Sequence, residues 1–181
     1  MREVVAIAAL LLLPALAAAH SYPVERAAVL QLHPAHAELL LIYKEPAGPR
    51  TDRLLALYDQ DKNGAIDGVE VHLATPEILR RAFAGVTFDF GAPHKAQRAE
   101  LNFKRDVDGG VSVAILQRFD VTLAGTARLT VRLDDGAAVV PLQVIIEPVG
   151  WTFDGSDATE QRVELTHGQS STAQLRRAPT L

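Results

Sequence analysis

Residues 25–44 read ERAAVLQLHPAHAELLLIYK. Two runs, Glu25 to His33 and Glu38 to Lys44, are apolar on at least one face, and His33-Pro34-Ala35-His36 separates them as a turn. This is the pattern of paired strands. The same reading recurs after residue 85. Val86–Phe90, Arg98–Lys104, Val111–Leu123, Thr126–Leu133, Val139–Glu147 and Gln161–Thr166 are strand-like. They are divided by turn-rich separators such as Asp106-Val107-Asp108-Gly109-Gly110 and Asp134-Asp135-Gly136. Short strands at short spacing, with no helices between the later ones, predict an antiparallel β-sandwich or barrel-like domain.

Between these two blocks the pattern changes. Glu45-Pro46-Ala47-Gly48-Pro49 breaks the strand, and Thr51 is placed to cap a helix that begins at Asp52 and carries Leu54, Leu55 and Tyr58 on one side. Val69–Ala74 is helical again. Thr75 and Pro76 then suggest the end of one short helix and the cap and first residue of another, running to Phe83 and stopping at Gly85. The expected class is therefore α+β, with a helix-loop-helix insert at 51–84 in a single β-rich domain spanning 20–181.

Composition narrows the function. The first nineteen residues have a positive start at Arg2, an apolar run from Val4 to Leu16 and three alanines, 17–19, suited to signal peptidase. A signal peptide cut before His20 is expected. An uncleaved anchor is the alternative, but the run is shorter than the roughly 20 residues that span a bilayer. A secreted or periplasmic product with no membrane span after cleavage follows. The chain has no cysteine, which removes disulfides and thiolate metal sites. A formal charge of −4 and a pI near 5.8, with no basic patch, argue against a nucleic-acid partner. Arg80-Arg81 and Arg176-Arg177 read as solvated charge.

The insert holds the strongest motif, DQDKNGAIDGVE at 59–70. Calcium prefers six to eight oxygen ligands at about 2.3 to 2.6 Å, so one short segment must present oxygens at alternating positions. With Asp59 as the first position, Asp61 is third, Asn63 fifth, the Ala65 carbonyl seventh, Asp67 ninth and Glu70 twelfth. Gly64 stands sixth, where the chain turns sharply and a side chain would be in the way, and apolar Ile66 stands eighth, where it pins the loop to a core. At these positions the segment resembles the EF-hand family, and Leu54, Leu55 and Tyr58 match the apolar positions of its incoming helix. The resemblance covers about 51–75. It implies that Asp59, Asp61, Asn63, Ala65, Asp67 and Glu70 bind Ca2+, Asp67 through a water and Glu70 with both oxygens.

No second loop of this kind is evident. Asp106–Gln117 begins with Asp-Val-Asp but has Val111 where glycine is needed and ends in Gln117, so it reads as a hairpin turn. With Pro76 shortening the outgoing helix, a structural ion is expected instead of a sensor. A lone hand also leaves Ile66 without its usual mate, which suggests a homodimer.

His20, His33 and His36 offer a periplasmic copper or nickel site as the alternative function, since neutral imidazole suits those metals. Catalytic motifs are lacking: Gly168-Gln169-Ser170-Ser171-Thr172 is not a nucleophile elbow. Asp154 and Asp157 could form a hydrolytic pair but are better explained as a polar turn, and Trp151 and Phe153 as core or a small patch. The expected protein is a non-enzymatic, exported calcium binder whose β-domain recognises a protein partner or membrane transporter. In arrangement it is similar to bacterial exported modules in which an EF-hand insert interrupts a β-domain, some of them associated with metal permeases.

Overall fold

The computed structural model describes residues 25–134 and 141–178. The expected signal peptide, His20 and Val139, the expected first residue of the fifth later strand, lie outside them. The first hairpin is as expected, with β1 at Glu25–Leu32 and β2 at His36–Glu45. Two helices follow, α1 at Pro49–Tyr58 and α2 at Gly68–Ala82. The rest is strand: β3 Val86–Asp89, β4 His94–Ala96, β5 Glu100–Arg105, β6 Val111–Val121, β7 Thr126–Leu133, β8 Leu142–Pro148, β9 Trp151–Phe153, β10 Gln161–Leu165 and β11 Ser170–Arg177.

Among the described residues the strands form two separate sheets, consistent with a β-sandwich rather than one closed barrel. The larger sheet runs β10-β8-β1-β2-β6-β4, with β5 also paired to β6, and the smaller runs β3-β7-β11-β9. One pair departs from the antiparallel expectation. β8 lies parallel to β1, Val29 opposite Ile145. In β8 itself Val144, Ile145 and Ile146 are buried in succession, the apolar run a parallel strand favours, whereas its parallel partner β1 and its antiparallel partner β10 both alternate.

Alternation fixes which face is core. Ala28, Leu30 and Leu32 of β1, Leu39, Leu41 and Tyr43 of β2, and Val113 and Ile115 of β6 are essentially buried. Phe88, Leu129, Val131, Leu133, Ala173 and Leu175 from the smaller sheet belong to the same apolar cluster, as do Trp151 and Phe153. Burying each large side chain contributes about 1.5 to 3 kcal/mol.

The helices differ from expectation in two details. α1 begins at Pro49 with Gly48 as N-cap, because proline at the first helical position loses no hydrogen bond and has its φ already set. Thr51 is not the cap; it is buried and its hydroxyl donates to the Pro46 carbonyl at 2.7 Å. The second difference is α2, a single helix that continues through Pro76. Its buried residues Glu70, Ala74, Ile78 and Ala82 recur every fourth position on both sides of the proline, so packing outweighs the one bond lost. Pro76 and His72, four residues earlier, are both exposed, which lets water reach the carbonyl that the ring leaves unpaired.

A polar clasp fixes this helical insert to the sheet. The end of β2 carries Glu45, 1% exposed, which accepts from the Tyr43 hydroxyl and pairs with Arg81 of α2 at 3.3 Å. Arg50 of α1 approaches its other oxygen at 2.7 Å, an ion-pair distance without the alignment of a hydrogen bond. Arg81 also donates to Glu77 at 2.7 Å. Arg81 is thus a bridging group and not the solvated charge expected, although Arg80 beside it is exposed. Just beyond the same C-terminal end of α2, Arg26 of β1 donates to the Ala84 carbonyl at 2.8 Å. A cation there satisfies carbonyls that the last helical turn cannot.

Candidate metal centre

The loop between α1 and α2 folds as a series of side chain to backbone bonds. Asp59 ends α1 and accepts from the backbone of Asn63 at 3.1 Å and of Gly64 at 2.9 Å. Asp61 also accepts from Asn63 N–H, at 3.0 Å, and the Asn63 amide oxygen accepts from Ala65 N–H at 2.7 Å. Such short-range bonds are the reason aspartate and asparagine favour turns. Gly64 has φ 85°, and a Cβ built there meets nothing within 4 Å. Its role is therefore conformational; the steric crowding expected of that position is not the cause. Lys62 shares the left-handed conformation, at φ 59°.

Glu70 closes the loop from inside α2. It is 7% exposed and forms a reciprocal capping box with Asp67. One carboxylate oxygen accepts from Gln60 N–H at 2.5 Å and Asp61 N–H at 3.2 Å, the other from Asp67 N–H at 3.3 Å. The result is a meeting of Asp59, Asp61 and Glu70, each offering an oxygen within 4.8 Å of the others. Asn63 joins them through its amide nitrogen, 3.0 Å from Asp61 and 3.3 Å from Asp67. Three of the six expected ligands, Asp59, Asp61 and Glu70, thus come together, with Asn63 and Asp67 linked beside them by hydrogen bonds. Ala65 takes part through its N–H. To hold a cation, the Asn63 amide must turn its oxygen inward.

Ile66 is 4% exposed and belongs to the core cluster, with Leu54 fully buried and Leu55 and Tyr58 packed against it. The pin is as expected. The motive for a homodimer through Ile66 is gone, because its mates are within the chain.

The histidines expected to form a second site are also brought together in part. His33 and His36 flank the β1–β2 turn, closed by His33 N–H to the His36 carbonyl at 2.9 Å. Their rings stack at 4.3 Å and 7°. The partner missed from sequence is Glu38, whose oxygen lies 3.2 Å from His36 Nε2. The signal was there: residues 36 and 38 of a strand share a face.

Other expected features resolve as structure. Asp106–Gln117 contains the β5–β6 turn, with Asp106 accepting from Ser112 at 2.7 Å. Asp154 is paired with Arg176, which sits on β11 and is not chain-end charge. No helix among the described residues is long and apolar enough to cross a membrane. No model of a known protein family matches the chain, and comparison with curated proteins returns no match.

Proposed function

We propose that the loop at 59–70 holds a structural Ca2+ that braces α1 against α2, in an exported protein whose β-domain recognises a partner. The observation that carries the reading is the convergence of Asp59, Asp61 and buried Glu70, with the Asn63 amide bonded to Asp61 and Asp67 beside them. Two carboxylates about 4 Å apart repel by about 4 kcal/mol at an effective dielectric near 20, a cost that a divalent cation reverses. Oxygen-only donors favour calcium or magnesium over softer metals, and the flexible, many-ligand loop suits calcium. Extracellular calcium modules bind at about 10⁻⁴ to 10⁻³ M, where the ion is held constantly and acts as a brace.

Thermal unfolding with millimolar calcium and with chelator tests this. The melting temperature should rise with calcium in the wild type and stay fixed in Glu70→Gln. An identical wild-type melting temperature in both conditions removes the site.

The partner half of the reading is supported by the outer face of the larger sheet. Leu116, Leu40 and Val29 stand in one row across β6, β2 and β1, on the side opposite the core. Leu116 is 36% exposed. Replacing Leu40 and Leu116 by lysine should abolish co-purification of a partner while leaving calcium-dependent melting intact; retention of the partner excludes this face.

A further inference from the structure

We propose that His33, His36 and Glu38 form a second metal site, for a transition-metal ion of borderline softness such as Cu2+, separate from the acidic loop. The three ligand atoms already lie within 4.8 Å of one another. Metal bonds of about 2.0 to 2.1 Å place neighbouring ligands roughly 3 Å apart, so side-chain rotation alone can close the set. The hairpin does the positioning: alternation puts His36 and Glu38 on one face of β2, and the tight turn folds His33 back over His36.

Two observations point to a ligand. His33 Nε2 is buried with no hydrogen-bond partner among the described residues. An unsatisfied buried nitrogen is a cost that a metal bond offsets. The second is the close parallel stacking of the two rings, an arrangement that two imidazolium cations resist by repulsion. Burial foremost, then the neighbouring His36, holds His33 below the usual histidine range, and Arg118 adds to this while Glu38 opposes it.

Charged groups on the neighbouring strands set the strength. Arg118 of β6 faces Glu38 at 3.9 Å and competes with a cation for it. Asp120 lies opposite His36 in register, and Gln31 opposite Glu38 donates to Glu147 at 2.8 Å. Two imidazoles and one carboxylate suit Cu2+, Ni2+ and Zn2+ and disfavour calcium; Cu2+ stands highest in the intrinsic affinity order.

Titration of the full exported chain with Cu2+, read by calorimetry and electron paramagnetic resonance, tests the proposal. One equivalent should bind with nitrogen hyperfine structure from two imidazoles. The double variant His33→Ala/His36→Ala should bind at least about a hundredfold more weakly (about 2.7 kcal/mol), and Glu38→Gln about tenfold. Arg118→Ala should bind more tightly. His20→Ala and Glu70→Gln should bind as the wild type, which keeps this result distinct from the calcium measurement. Unchanged copper binding in the double variant, or its loss in His20→Ala, overturns the site. If the double variant does not fold, the opposite shifts of Glu38→Gln and Arg118→Ala decide, and no shift in either overturns it.

Discussion

The acidic loop and the β1–β2 turn each gather three metal-capable side chains, but they do so by different means. The loop takes its ligands from twelve consecutive residues, arranged by bonds between its own side chains and backbone. Its place on the sheet depends on something distant, the Glu45 clasp reached from Arg50 and Arg81. In the turn, strand pairing supplies both the ligand positions and their support. A local ligand set can therefore hang on a remote anchor, and a set spread over a hairpin can be self-supporting. The donors differ in the same way: oxygen in the loop, mainly imidazole nitrogen in the turn, which divides hard calcium from borderline copper.

The comparison breaks most visibly at the anchor. Glu45→Ala leaves Arg81 with Glu77 but removes the buried carboxylate that Tyr43 and both arginines meet. Loss of one partner from a buried pair costs about 3 kcal/mol or more. Denaturant unfolding should show that loss, together with a smaller melting shift on calcium addition, while Cu2+ affinity stays at the wild-type value. Equal weakening of both metals would mean that the clasp supports the whole sheet.

Within the loop, Glu70 is the cap and, in the proposed reading, a calcium ligand, and two substitutions separate these roles. Glu70→Ala strands the N–H groups of Gln60, Asp61 and Asp67, an expected loss of about 1 to 3 kcal/mol even in chelator. Glu70→Gln keeps an acceptor and should lose less stability, yet lose calcium binding as fully. If the two behave alike in chelator, the cap contributes nothing. Gly64→Ala should cost roughly 1 to 2 kcal/mol from its left-handed backbone alone, with no clash to relieve.

How much of this was legible in the sequence follows the same division. The meeting of Asp59, Asp61 and Glu70 could be read because these acids, the glycine and the apolar pin occupy fixed places in one segment. The long strands were legible from alternation. β9 and β11 were not: β9 has three residues, and β11 buries only Ala173 and Leu175 within Ser170–Arg177. Parallel pairing of β8 was hinted at by its apolar run, but which strand it joins is a matter of register between residues more than a hundred positions apart. The clasp left no local mark. Arg81 beside Arg80 looks like surface charge until Glu45, 36 positions earlier, is brought against it. Glu38 was not legible as a partner because His36 reads as part of the turn, whereas β2 begins at His36 and puts the two on one face.

The smallest expected effect concerns the surface branch of the clasp. Hydrogen bonds from Arg80 first and Arg81 second hold the Glu77 carboxyl down at about 2 from its ordinary 4.5. A depressed carboxyl binds fewer protons folded than unfolded, so its stabilisation is complete above 4.5 and disappears as pH falls through about 2. The pairs are of the i,i+3 and i,i+4 kind, worth about 0.5 kcal/mol each at a helix surface. Denaturant unfolding of wild type and Glu77→Gln from pH 7 to pH 2 should show the wild type more stable at neutral pH by about that amount. The two should converge in acid. A constant gap across the range would assign the difference to packing and not to the charge of Glu77.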